Sequence, residues 1–200
     1  MARQAQTARS ERTRAALRQA ALVRFLAQGV EDTSAEQIAA DAGVSLRTFY
    51  RHFNSKHDLL FADYDSGLRW FRAALAERPE GESILDSVQS AILAFPFDVD
   101  AVPKIAAMRA NELDPGRIVR HIRQVESDFA EAVADHLTRR APTGPCGDDR
   151  LRIAVTARCV AAAVFGAMDI WMTGDDEDRS LPELARLCRT ALESLRAGLV

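Results

Sequence analysis

Residues 33–60 read TSAEQIAADAGVSLRTFYRHFNSKHDLL, and the reading of this stretch decides the fold. Thr33-Ser34-Ala35-Glu36 sets a hydroxyl three residues ahead of a carboxylate, the pattern of a capping box, and so predicts a short helix running to about Ala42. Gly43 stops it, because glycine accepts the positive φ that a tight turn demands. A second short helix is expected from about Ser45 to His52. Ala39 is small where the two helices must cross, while Val44, Phe49 and Phe53 supply a small core beneath them. Two short helices held nearly at right angles by one tight turn make a helix-turn-helix.

The second of these helices has a polar outer surface formed by Ser45, Leu46, Arg47, Thr48, Tyr50 and His52. Such a surface suits the major groove of a duplex: Arg47 has the reach and the forked donors for guanine, and Leu46 and Thr48 can meet a thymine methyl or a base edge. Tyr50, His52 and Lys56 are placed to hold phosphates. The full candidate DNA-facing set is Arg12, Arg14, Thr33, Ser45, Leu46, Arg47, Thr48, Tyr50, Arg51, His52 and Lys56. The competing reading is a helical hairpin in which Tyr50 and Phe53 merely pack. A metal site at His52 and His57 is set aside, since residues five apart leave one helical face and no cysteine or carboxylate supports them.

Charge follows the same division. The whole chain carries −3, yet residues 1–60 hold nine Lys/Arg against six Asp/Glu, so a basic head precedes an acidic body. Arg3, Arg9, Arg12, Arg14 and Arg18 face only Glu11, an excess that attracts phosphates or, on the other reading, a solvated Arg-rich tail.

Beyond this stretch, runs of alternating β-branched residues are missing and Ala, Leu, Arg and Glu recur at helical spacing, which makes the chain all-α. A first helix is expected from about Ser10 to Gln28, stopped by Gly29. Ser55 to Asp58 caps a long fourth helix reaching about Arg78. Further helices are expected over about 83–95, 103–112, 117–140, 148–173 and 181–199, punctuated by Pro79 and Gly81, a loop at Pro96–Val102, Pro115-Gly116, a linker at Ala141–Gly147 and an acidic loop at Gly174–Asp178. The expected domains are 1–54, binding DNA, and 55–200, binding ligand and dimerising. With 48% hydrophobic and 28% charged residues the chain can bury an ordinary core. Apolar runs are expected to fall short of the roughly 18–20 residues that span a bilayer, so a cytoplasmic protein without a membrane partner is expected. Cys146, Cys159 and Cys188 fit neither a disulfide framework nor a zinc motif.

Helix eight sets Val155, Cys159, Ala162, Ala163, Gly166 and Ile170 close to one stripe, and helix nine offers Leu184, Leu187, Cys188, Ala191, Leu195 and Leu199. Small residues let helices approach closely, so two such helices per subunit predict a four-helix bundle across a twofold axis. Burial of the same residues inside one subunit is the alternative. No Gly-rich phosphate loop, paired ligand histidines or nucleophile motif points to an enzyme, and no cofactor or metal is expected.

The stretches Ile38 to Ser45, Thr48 to Phe53 and Ser55 to Leu60 resemble the N-terminal signature of the TetR family of transcriptional regulators nearly position by position. The resemblance covers about residues 10–60. It implies about nine helices per subunit, a homodimer, repression as the usual activity, and a cavity for a small-molecule effector in the C-terminal body. Thr48, Tyr50, His52 and Lys56 correspond by position to DNA-contacting residues of the family, while Leu46 and Arg47 fall where its members vary. Large apolar residues of the body are ordinarily core. The implied cavity makes Trp70, Phe71, Phe95, Ile105, Met108, Ile122, Phe165 and Met168 candidate walls, and Arg109, Asn111 and His121 candidate polar anchors. Such walls suit a hydrophobic or amphipathic effector. A DNA-binding protein without an effector, and an effector-dependent activator, remain the alternatives.

Overall fold

In the computed structural model the described residues are 2–95, 101–141, 147–173 and 180–198, with side chains described for 9–62, 64–95, 104–141, 147–171 and 180–198. Residues 96–100 of the expected loop Pro96–Val102, residues 142–146 of the expected linker Ala141–Gly147, the expected loop Gly174–Asp178, the terminal Leu199 and the side chain of Arg3 lie outside them, whereas Ala101, Val102 and Gly147 are helical rather than loop. Among the described residues the chain is helical throughout: α1 (Ala2–Gln28), α2 (Ala35–Asp41), α3 (Leu46–His52), a 3-10 turn (Lys56–Phe61), α4 (Ala62–Ala76), α5 (Ile84–Leu93), α6 (Ala101–Glu112), α7 (Pro115–Arg140), α8 (Gly147–Thr173) and α9 (Leu181–Ala197).

Several boundaries differ from expectation for local reasons. Residues 2–9 contain no Gly or Pro and three alanines, so α1 starts well before Ser10. Ser34, not Thr33, caps α2: its hydroxyl accepts from Gln37 N at 3.2 Å and its own N–H donates to Gln37 Oε1 at 2.9 Å. The box therefore sits one residue later than the sequence pattern suggests. The expected long fourth helix opens as the 3-10 turn, because Asp58 Oδ2 accepts from the N–H groups of Asn54 and Ser55, at 2.8 and 3.1 Å, and tightens the entry. Pro115 begins α7, where a missing N–H costs nothing.

The helices form two compact units, 1–63 with 107–114, and 64–106 with 115–200. The first extends past the expected boundary at residue 54, because Leu59, Leu60 and Phe61 are buried and the chain beyond them is tied back. Arg109 Nε donates to Leu60 O at 2.6 Å, and an Arg18 guanidinium N–H donates to Ala62 O at 3.2 Å. Its core comprises Leu17, Ala21, Phe25, Val30, Ile38, Ala39, Phe49 and Phe53. Each such large side chain contributes about 1.5–3 kcal/mol, against about 0–1 kcal/mol for an exposed ion pair, so the apolar wedge between α1, α2 and α3 holds the unit.

The second unit is built on Phe71, Leu75, Val88, Val125, Phe129, Val133, Val160, Val164, Phe165 and Leu192. Phe71 stacks on Phe129 at 4.0 Å between centroids, and Phe165 meets Phe129 edge-on at 5.8 Å. Arg140, at the end of α7, donates to the carbonyls of Arg78 and Glu82 at 3.1 Å each and fastens the turn between α4 and α5. Helix α8 departs from expectation in one respect, since its 25 residues Gly147–Trp171 are long and apolar enough to cross a membrane by length and composition. Ala157, Val160, Ala161, Val164, Phe165 and Ala167 bury one side of it in the helical core.

Candidate nucleic-acid interface

The turn between α2 and α3 is set by Gly43 at φ +66°, followed by Val44 N donating to Ala39 O at 2.9 Å. With Ala39 and Phe49 buried beneath it, α3 has one fixed face inward and one outward. Ser45 caps the helix, its Oγ accepting from Thr48 N at 3.2 Å and lying 3.0 Å from Thr48 Oγ1. Arg47 and Arg51 are exposed, Tyr50 is 53% exposed, and Leu46 and Thr48 are half-buried. The packed-hairpin reading required Tyr50 inside the subunit. It stands outside, its ring edge 5.2 Å from the buried Phe49.

Other candidates are held more tightly than the sequence suggests. Thr33 is 1% exposed and its hydroxyl donates to Gly29 O at 2.7 Å, so it is a structural residue of the turn rather than a DNA contact. Arg14 lies with its Cζ 5.3 Å from the Phe53 centroid, a cation over a core aromatic, whereas Arg12 is exposed. His52 is half-buried, and burial first, then the neighbouring Arg51 and Arg14, push its imidazole below the ordinary value, with Glu11 opposing. Lys56 Nζ donates to Val30 O at 2.8 Å and Glu31 O at 2.9 Å. Glu31 Oε1 lies 3.8 Å from that ammonium and 3.3 Å from His57 Nε2.

Sequence reasoning missed these braces. It also missed Arg24, whose Nε and terminal nitrogen donate to both oxygens of Asp41, tying α1 to α2. The contacts of Arg24 with Asp41, of Lys56 with Val30 and Glu31, and of His57 with Glu31 join residues 17 to 26 apart and leave no periodic signature. Among the described residues no group of three or more His, Cys, Asp or Glu is disposed to hold a metal.

In the second unit α8 turns Val155, Cys159, Ala162, Gly166 and Ile170 outward, half-burying Ala163. Val155 is 52% and Ile170 61% exposed. Leu151, four residues before Val155, belongs to the same stripe and was not expected there. The apolar face of α9 behaves differently: Cys188 is buried and Leu184, Leu187, Ala191 and Leu195 are half-buried against their own subunit. The expectation of Cys188 as an outward interface residue is thereby corrected. Leu192 completes that side of the core, and the half-buried residues of α9 keep part of their surface open.

The candidate effector residues are scattered. Phe71 and Phe165 are buried in the aromatic stack, Ile122 and Met168 pack against it, and Trp70 pairs with Phe95 at 5.9 Å while staying partly exposed. His121 lies 5.7 Å from Tyr64, ring to ring, and Ile105 is half-buried. Met108, Arg109 and Asn111 fall in the first unit; Arg109 Nε is committed to Leu60 and Asn111 is exposed.

Comparison with known proteins agrees with this geometry. The family model described as bacterial regulatory proteins of the tetR family matches residues 17–62, the helix-turn-helix and its flanks. The HTH-type transcriptional regulator TcmR of Streptomyces glaucescens is 34% identical over 196 residues, 94% of this chain and 84% of that protein. Over 55 residues, 28% of this chain and 26% of the relative, SrpR of Pseudomonas putida is 47% identical. In fold the chain is similar to Thermus thermophilus FadR, a TetR-family repressor solved with lauroyl-CoA, at a TM-score of 0.61 and 20% identity, covering 94% and 95% of the two chains. A regulator from Mesorhizobium loti gives 0.54 and 22%, covering 94% and 97%. With an outward helix-turn-helix, a helical body and a relative matched nearly end to end, the chain belongs to the TetR family of DNA-binding transcriptional regulators and is not an enzyme.

Proposed function

We propose that the chain is a cytoplasmic, homodimeric repressor that a small hydrophobic or amphipathic effector releases from its operator. The observation that carries the DNA half of this reading is the outward face of α3, where Arg47, Tyr50 and Arg51 stand clear of the core. Arg47 reads bases in the major groove, and Arg12, Tyr50, His52 and Lys56 serve the phosphates. Two half-sites about 34–36 Å apart require a twofold partner, and the α8 stripe from Leu151 to Ile170 is the apolar surface suited to meet its copy.

The effector half rests on Trp70, Phe95, Ile105, His121, Ile122 and Met168, apolar or aromatic side chains of the second unit that are not fully buried. Lauroyl-CoA bound to the similarly folded FadR is amphipathic in the same sense. Helix α4 begins with Ala62 and Asp63 in the first unit and continues through Trp70 in the second, so it is the natural lever. A coupling of about 1–3 kcal/mol would change operator occupancy roughly 5- to 150-fold.

Selection of bound duplexes from a random pool tests the DNA half, with a palindromic sequence expected. Thermal-shift screening with acyl and aromatic ligands, followed by DNA release in a gel-shift assay, tests the effector half. Duplex binding without any stabilising ligand would leave a regulator that acts without an effector. An asymmetric selected site would overturn the dimer.

A further inference from the structure

We infer that Glu31 is a built-in competitor for the DNA backbone: its carboxylate occupies Lys56 and His57 in the free protein and gives them up to a phosphate. This rests on the reading of Lys56 as a DNA-facing cation. One oxygen, Glu31 Oε1, serves both groups, 3.3 Å from His57 Nε2 and 3.8 Å from Lys56 Nζ. An ammonium has three donors. Two are committed to the carbonyls of Val30 and Glu31, which fixes the position of the lysine without help from the carboxylate. Glu31 holds the remaining charge at ion-pair distance only.

The three side chains differ in exposure in the way such a role requires. Lys56 and His57 are largely shielded, at 20% and 27%, while Glu31 is 71% exposed and can swing away without uncovering any core. A phosphate oxygen arriving at the same place meets an ammonium already oriented and replaces a weakly held, solvated carboxylate. Glu31 therefore lowers affinity for every duplex by the same factor, because the phosphate it blocks carries no base identity. Specific and non-specific complexes are weakened alike, and the base contacts of Arg47 make up a larger share of a smaller total binding free energy.

The test compares the full-length protein with Glu31→Gln and, as a neighbour of equal charge, Asp32→Asn. Each is titrated at several salt concentrations with a mixed-sequence duplex. Glu31→Gln should bind about two- to fivefold more tightly at low salt, the range for exposed charge pairs. Its logarithmic salt slope should stay at the wild-type value, because both complexes neutralise the same phosphates. Asp32→Asn should tighten binding less, and in a His57→Gln background the tightening caused by Glu31→Gln should shrink. An unchanged melting temperature for Glu31→Gln, reflecting the intact carbonyl clamp, is the accompanying expectation. Equal effects of Glu31→Gln and Asp32→Asn, or a tightening that is additive with His57→Gln, would overturn the inference and leave only a general field effect. Wild-type protein that ignores duplexes at low salt would overturn the DNA-facing reading of Lys56 itself. Wild-type binding that Glu31→Gln leaves unaltered would remove the competitor role alone.

Discussion

The Arg24 guanidinium takes both carboxylate oxygens of Asp41, at 2.5 and 2.9 Å, and thereby ties α2 to α1. Both groups remain partly solvated, so the pair trims motion more than it supplies stability. Arg24→Gln, Asp41→Asn and the double variant are expected to show the same small fall in melting temperature, the double no worse than either single. Additive losses in thermal melts would mean that each residue acts through another partner.

Arg47→Ala should relax sequence preference at one operator position, at a cost of about 1–3 kcal/mol for the favoured base, and leave the melting temperature unchanged. Lys56→Ala should instead weaken binding to all duplexes and also lower the melting temperature, because it removes the bonds to Val30 O and Glu31 O. Parallel gel-shift titrations and melts separate the two behaviours.

Acid should weaken the second unit over two pH ranges. Burial, then Arg140 and Arg139, hold the His136 imidazole below its ordinary value of 6.5, and its Nε2 has no hydrogen-bond partner among the described residues. Below pH 6.5 the unfolded chain binds a proton that the folded one resists, so stability falls as the pH falls. Glu82, bonded to Arg78 and Ser87, is held down from 4.5 to about 2. Its ionised form favours the fold above 4.5, and that benefit disappears as pH drops from 4.5 towards 2. Denaturant titrations across pH should show both limbs, with His136→Gln flattening the first and Glu82→Gln the second.

Placing a charge on the outer stripe of α8 should split the proposed dimer. Val155→Glu or Ile170→Glu is expected to sediment as a monomer with helix content and melting cooperativity preserved, since both side chains are already exposed. A Cys188→Glu variant should misfold instead, because its side chain lies in the core.

The helix-turn-helix was legible because its determinants are local: a turn glycine at 43, small Ala39, and apolar Phe49 and Phe53 spaced one helical turn apart. The same logic located every helix of the body. What escaped was set by contacts that no periodicity encodes, some near in sequence and some far. Thr33 reads as a capping hydroxyl until Gly29 O is found beside it, and Lys56 reads as a free cation until the carbonyls 25 and 26 residues earlier are seen to hold it. The apolar stripes of α8 and α9 read alike in sequence. Only packing showed that α9 buries Cys188 and Leu192 and half-buries the rest of its stripe, while α8 leaves Val155 and Ile170 exposed.

The turn at Gly43 closes with a torsion that L-amino acids resist, yet a side chain there would meet nothing within 4 Å. Any penalty for substitution is therefore one of handedness, not of crowding. Gly43→Ala should lower stability through the torsion alone, whereas D-alanine introduced there by chemical ligation escapes that strain, because its favoured φ is positive.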